Sequence, residues 1–238
     1  MALGVCGLGL YQATQSSMFI VRVVEVSDPP ENAPVDAQTL TDLANIPLGH
    51  LNLFNLNLEP IEARILTHAW VRSVTLQKRF PQTLAITVVF REPQALLQAE
   101  SGKLSYVDVD GKVFGEVNLN KQPDLPILTG ITPRNPDAIR SALKVLGRWD
   151  SAQLGRVSQI SSLGYDPERG YRAWVSYPMA NERGRTLVEL GQEFDADFDE
   201  QLQRLARVIR YLAGNGIAVR QIWADAGKKI VVKIAHRS

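Results

Sequence analysis

Between Thr83 and Glu92, Leu84, Ile86, Val88 and Phe90 alternate with Thr83, Ala85, Thr87, Val89 and Arg91. A period of two predicts a strand with one buried face. Val71–Arg79 predicts the strand before it, with Val74 and Leu76 facing one way and Arg72 and Lys78 near the ends. The Phe80-Pro81 corner joins the two. Phe19–Val26 is rich in β-branched residues and predicts a further strand. Its facing stays open, because Phe19, Val21 and Val23 compete with Ile20, Val24 and Val26 for the core. Two helices are expected in between. Asp36–Ala44 has Leu40 and Leu43 on its apolar side, and Glu59–Thr67 has Ile61, Ile65 and Leu66 on one face. The order strand, helix, helix, strand, strand predicts a three-stranded sheet covered by two helices. Pro93 cannot donate a ladder hydrogen bond, so it is expected to end this domain.

The second half has a different pattern. "KLSYVDVDGKVFGEV" reads as a hairpin with Asp110-Gly111 as its turn. "PDLPILTGITPRNP" reads as a proline-broken connection. Asn135 is placed to cap a helix that has Pro136 at its first position, with Ile139, Ala142, Leu143 and Leu146 inward. Strands are expected near Arg156–Leu163, Tyr171–Tyr177 and Arg185–Leu190. A longer helix follows over about Phe198–Ala213, with Leu202, Leu205, Ala206, Ile209 and Leu212 inward and Gly214 and Gly216 stopping it. Two last strands, Ile217–Trp223 and Lys229–Ala235, flank "ADAG". The expected class is α+β in two domains, 19–93 and 94–238, preceded by a distinct segment over 1–18.

Composition narrows the function classes. The 238 residues suit one large domain or two small ones. A net charge of +1 gives no basic excess for nucleic acid. Cys6 is the only cysteine, which leaves no disulfide framework and no cysteine-based metal site. Val5 ahead of it is a poor residue for a lipoprotein cleavage site. Met1 to Val21 carries no charged residue, and "MALGVCGLGLY" is strongly apolar. A spanning helix needs roughly 20 predominantly apolar residues, and a signal peptide needs a basic start. The stretch is therefore expected to be the outer part of a membrane-spanning helix that begins upstream of Met1.

Little in the chain points to chemistry. "DADFDE", from Asp195 to Glu200, is the one acidic cluster. It lacks the glycine and distal glutamate of a calcium loop, and it stands where the long helix begins, where acidic residues meet the helix dipole favourably. His50, His68 and His236 have no second ligand at metal spacing. "GLGL" has no strand before it, and Gly4, Gly7 and Gly9 suit close helix packing instead. Neither a serine elbow nor a phosphate-cradling loop is present. No cofactor, metal or small-molecule substrate is expected.

Two surfaces remain as binding candidates. Arg204, Arg207 and Arg210 are expected as a stripe on the outer face of the long helix. The last strand is expected at a sheet edge, with Ile230, Val232 and Ile234 on one side and Val231, Lys233 and Ala235 on the other. Lys228, Lys229 and Lys233 fit either a protected edge or a selective docking edge.

In their order, these pieces resemble a known family. Phe19–Ala95, with "AWVRSVTLQKRFPQTLAITVVFREPQALL", resembles a POTRA domain (polypeptide-transport-associated domain). "YVDVDGKVF", "LPILTG", "TLVELG" and "LVELGQEFDADFDEQLQRLARVIRYL" continue into a second domain like that of the bacterial cell-division family FtsQ, also called DivIB. The resemblance covers nearly everything after residue 18. It implies a non-catalytic scaffold of the division machinery, with one span in the inner membrane, its bulk in the periplasm, and a place at the septum. It implies FtsB- and FtsL-type partners, the former engaged by strand addition at the last strands. The expected contact set is Trp223, Lys229, Ile230, Val231, Val232, Lys233 and Ile234, flanked by Arg204, Arg207 and Arg210. A POTRA-bearing secretion or outer-membrane assembly component is the alternative. It would call for further POTRA copies or a membrane barrel, and neither is seen in the sequence. A third reading, a metal-dependent hydrolase built on "DADFDE", would require cation binding there.

Overall fold

The computed structural model describes residues 14–29, 34–118, 123–179, 183–192, 197–225 and 229–235. Gly4, Cys6, Gly7, Gly9, Asp195, Lys228 and His236, read above from the sequence, lie outside these residues, as does most of the 1–18 segment. The chain divides into two compact units, Met1–Arg91 and Glu92–Ser238.

The first unit runs β1 (Val23–Val26), α1 (Ala37–Ala44), α2 (Glu59–Ile65), β2 (Val71–Arg79) and β3 (Thr83–Phe90). Its sheet has the order β1-β3-β2, with β1 parallel and β2 antiparallel to β3. A 3-10 turn over Ser17–Phe19 replaces the first part of the expected strand. The open question of facing has a divided answer: within β1, Val24 and Val26 pack on the core and Val23 is exposed, but Val21, ahead of the strand, is fully buried in the same core. The core holds Leu40, Ile61, Ile65, Val71, Val74, Leu84, Ile86 and Val88. Val71 and Val74 share that face despite their odd spacing because a bulge falls between Val71 and Ser73. Asp36 caps α1 by accepting from the Thr39 N–H at 2.7 Å. Hydrogen bonding from the Thr39 side chain, and then from its backbone N–H, holds the Asp36 carboxyl below the ordinary aspartate value. Leu66 was expected on the packed face of α2. It is exposed, because its backbone stays helical, with its N–H on the Glu62 carbonyl at 2.9 Å, and one residue past Ile65 turns it about 100° off the buried face.

The second unit is a nine-stranded sheet in the order β12-β11-β10-β9-β8-β7-β4-β5-β6. Its strands are β4 (Pro93–Gln98), β5 (Leu104–Asp108), β6 (Val113–Glu116), β7 (Ile127–Thr129), β8 (Gln159–Asp166), β9 (Gly170–Pro178), β10 (Arg183–Gly191), β11 (Val219–Trp223) and β12 (Val231–Ile234). Helices α3 (Pro136–Ser151) and α4 (Asp197–Gly214) contribute their apolar faces to its core.

Two strands depart from the sequence reading. Pro93 opens β4, which pairs with β5, and Ile127–Thr129 forms β7 in mid-sheet, parallel to both β4 and β8. Asn135 caps α3 through the Ala138 N–H at 3.1 Å, with Pro136 in the first turn. Ile139, Ala142, Val145 and Trp149 are buried, and Leu143 and Leu146 flank them half-buried. Asp197, Asp199 and Glu200 stand in the first turn of α4, where carboxylates favour the helix dipole. Helix α4 ends as its glycines require. Gly216 takes a positive φ of 62°, and the Ile217 N–H returns to the Leu212 carbonyl at 2.9 Å.

Candidate partner-binding edge

Among the described residues β12 has one neighbour, β11, so its other side is open. The pairing is antiparallel, with Val219↔Ile234, Gln221↔Lys233, Ile222↔Val232 and Trp223↔Val231. The Ala235 N–H donates to the Ala218 carbonyl at 3.1 Å. Main-chain direction alternates along an antiparallel strand. Lys233 and Val231 therefore address β11, and Val232 and Ile234 present their N–H and C=O groups to the open side. An exposed row of such groups is a template for another strand.

The side chains suit the same role. Val232 packs against the core. Val231 is 47% exposed and Ile234 is 60% exposed. The sequence pattern puts Ile234 on one side of the strand with Ile230 and Val232. It lies opposite buried Val219 but at the rim, where β12 has one strand beside it instead of two. Ile230 precedes the strand and packs half-buried, so β12 is shorter than the expected Lys229–Ala235. Lys229 and Lys233 are exposed. Trp223 is half-buried beside Val231 across the ladder. Its other neighbour in register is Glu189, whose buried carboxylate accepts from Gln221 Nε2 at 3.0 Å.

Two of the other described edges, β6 and β2, are poorer templates. Strand β6 contains Gly115 at φ 53°, which interrupts an extended backbone of four residues. In the first unit, β2 carries a bulge together with Arg72, Lys78 and Arg79, charges of the kind that blunt an edge.

The expected arginine stripe divides. The Arg204 side chain is only 18% exposed and pairs with Glu200 at 2.9 Å, so it does not belong to an outer face. Arg207 and Arg210 are exposed. They line a hollow with Gln203, Ala206, Ser151, Ala152 and Gln153, beside the last turn of α3. Cations there complement the carbonyl end of a helix. None of the lining residues comes from β11 or β12.

Sequence reasoning missed Tyr177. Its hydroxyl donates to the Ile217 carbonyl at 2.9 Å and accepts from the Val219 N–H at 3.3 Å, fixing the start of β11. Burial raises its phenol above the ordinary value. The one legible signal was Gly184, a small residue in a strand, opposite which Tyr177 packs.

Among the described residues no group of three or more His, Cys, Asp or Glu is placed to hold a metal. None of the described helices is long and apolar enough to cross a membrane.

A β-α-α-β-β unit followed by a large mixed sheet with two packed helices defines a POTRA-bearing α+β protein. Residues 19–91 match the FtsQ-type POTRA domain, and residues 95–228 match the C-terminal domain of the cell division protein FtsQ/DivIB. The chain belongs to the FtsQ/DivIB family. It is 29% identical to the cell division protein FtsQ of Geotalea daltonii over 98% of this chain and 82% of the relative. Identity to the FtsQ of an Anaeromyxobacter species is also 29%, over 98% of this chain and 78% of that one. The FtsQ of Zymomonas mobilis is 31% identical over 40% of this chain and 30% of its own length.

Proposed function

We propose that this chain is a non-catalytic scaffold of the bacterial division machinery that recruits a smaller division protein by adding a strand to β12. The observation that carries this is the open side of Val231–Ile234, with two outward main-chain addresses at Val232 and Ile234. Main-chain pairing would supply affinity, and the exposed Val231 and Ile234, with Trp223 and Lys233 beside them, would supply selectivity. The partner is an extended periplasmic segment of the FtsB type, held near the membrane with an FtsL-type protein. The POTRA unit and a span leading into it would place the sheet on the periplasmic side of the inner membrane at the septum. Family membership supports the division role, and the uncharged residues up to Val21 support the span.

The test is binding of the full chain to a purified FtsB–FtsL periplasmic segment, comparing the native chain with Val232→Pro and Ile234→Pro. Each proline removes an outward donor. Ile234→Pro does so at a side chain that is 60% exposed, which protects the test from a folding defect at Val232. Loss of binding in variants that keep the native circular dichroism supports docking at β12. Undiminished binding moves the site elsewhere.

A further inference from the structure

The tip of the first unit carries an aromatic cluster outside its buried core. Phe19, Phe54 and Phe80 meet with ring centroids 4.8 Å (Phe19–Phe54), 4.5 Å (Phe54–Phe80) and 6.0 Å (Phe19–Phe80) apart. They come from the turn before β1, the connection between α1 and α2, and the β2–β3 corner. Phe54 is 41% exposed and Phe80 50%, and Met18, next to Phe19 in the chain, is 60% exposed. A single exposed ring is ordinary on a soluble surface. Rings in mutual contact form a patch that calls for a cover.

What covers it follows from where the chain enters. Asn52 Nδ2 donates to the Thr14 carbonyl at 2.8 Å, and the Leu53 N–H donates to the Phe19 carbonyl at 2.8 Å. Thr14, which residues 1–13 precede in the chain, therefore stands beside the loop that bears Phe54. That segment has no charged residue and is strongly apolar over "MALGVCGLGLY". The cations nearest in sequence to the rings are Arg22, Arg79, which pairs with Glu25 at 2.8 Å, and Lys78, whose Nζ donates to the Phe54 carbonyl at 3.1 Å. Apolar rings beside basic side chains, at the end of an uncharged stretch that is apolar up to Tyr11 and mostly polar from Gln12 to Ser17, match the layering of a phospholipid interface.

We propose that Phe19, Phe54, Phe80 and Met18 form a lipid-facing tip that seats the first unit on the membrane surface. The proposal rests on the reading of the N-terminal segment as the outer part of a span. Val23, Thr83 and Arg79 lie at the seated end of the small sheet, and Val71 and Phe90 at the opposite end.

The experiment uses the full chain in a Cys6→Ser background. An environment-sensitive NBD fluorophore is attached at Asn55→Cys, next to the cluster, or at Ala69→Cys, at the far end of the sheet; both positions are exposed. The protein is reconstituted into phosphatidylethanolamine–phosphatidylglycerol vesicles and floated on a density gradient. The expected result is flotation, with a blue-shifted emission at 55 that shallow brominated lipids quench and water-like emission at 69. Phe54→Ser/Phe80→Ser abolishes the shift at 55 and leaves flotation intact. Flotation with water-like emission at both sites overturns the proposal and leaves the span reading standing. A shift at 55 before lipid is added also overturns it, because the segment itself or a second copy then covers the rings. Failure to float overturns the span reading and the proposal together.

Discussion

Tyr177 packs so closely on Gly184 that a Cβ at position 184 would stand 2.4 Å from the ring's Cζ. The two residues are direct partners in the β9–β10 ladder. The missing side chain lets the ring pass over β10 and place its hydroxyl on the main chain at Ile217 and Val219. The start of β11 is thus fixed by a side chain from two strands away. Since β11 is the one described neighbour of β12, this contact also helps position the candidate docking edge.

Gly184→Ala forces the ring off its place and is expected to lower unfolding stability by about 1–3 kcal/mol, as overpacked cores do. Tyr177→Phe leaves the Ile217 carbonyl and the Val219 N–H without the hydroxyl and is expected to cost about 1–3 kcal/mol. Urea titration measures both. The double variant falls short of the sum, since a displaced ring has already lost part of its hydrogen bonding.

Alkaline pH is expected to weaken the second unit. Burial raises the folded-state phenols of Tyr171 and Tyr177 above their ordinary value of 10.0. The unfolded chain ionises first, so it binds fewer protons than the folded one above that pH. Their contribution is fully present below about pH 10 and is lost as pH rises through the raised folded values. Thermal melting between neutral pH and about pH 11 is expected to show this fall, with a smaller fall in Tyr177→Phe.

Asp108 organises the β5–β6 hairpin. It is buried, and its Oδ1 accepts from the Lys112 N–H at 2.8 Å and the Asp110 N–H at 3.0 Å. Asp108→Ala removes the acceptor of two turn N–H groups and is expected to cost about 1–3 kcal/mol in urea unfolding. Asp108→Asn keeps an acceptor and is expected to cost less.

The exposed side chains of β12 can be separated from stability. Val231→Ala/Ile234→Ala is expected to change unfolding by no more than about 0.5 kcal/mol per site while weakening the partner segment by roughly tenfold. Arg207→Ala/Arg210→Ala is expected to leave that affinity unchanged, because these residues stand beside the end of α3. Calorimetric titration of both variants distinguishes the two surfaces.

Period-two alternation made β3 legible, because Leu84, Ile86 and Val88 all face one core, while the small, buried Ala85 and the exposed Thr87 and Val89 point the other way. The cap at Asn135 and the packed face of α4 were legible for equally local reasons. Strand β7 was not. It is three residues long, Pro126 precedes it, and its pairing with β4 and β8 is parallel and distant in sequence. Strand β4 hid behind Pro93, which reads as an ending and in fact opens a strand. At the site, the position of the last strand could be read from its alternation. The outward exposure of Ile234 and the inward turn of Arg204 could not, because each depends on which neighbours the finished sheet and helices supply. The aromatic tip assembles from residues 19, 54 and 80, which no local pattern connects.

Amide hydrogen exchange resolved at β12, with and without the partner segment, tests the central claim most directly. The account predicts that the N–H groups of Val232 and Ile234 become protected when the segment binds, while those of Val231 and Lys233, already directed at β11, change little. Saturating binding that leaves Val232 and Ile234 exchanging as in the unbound chain would contradict it.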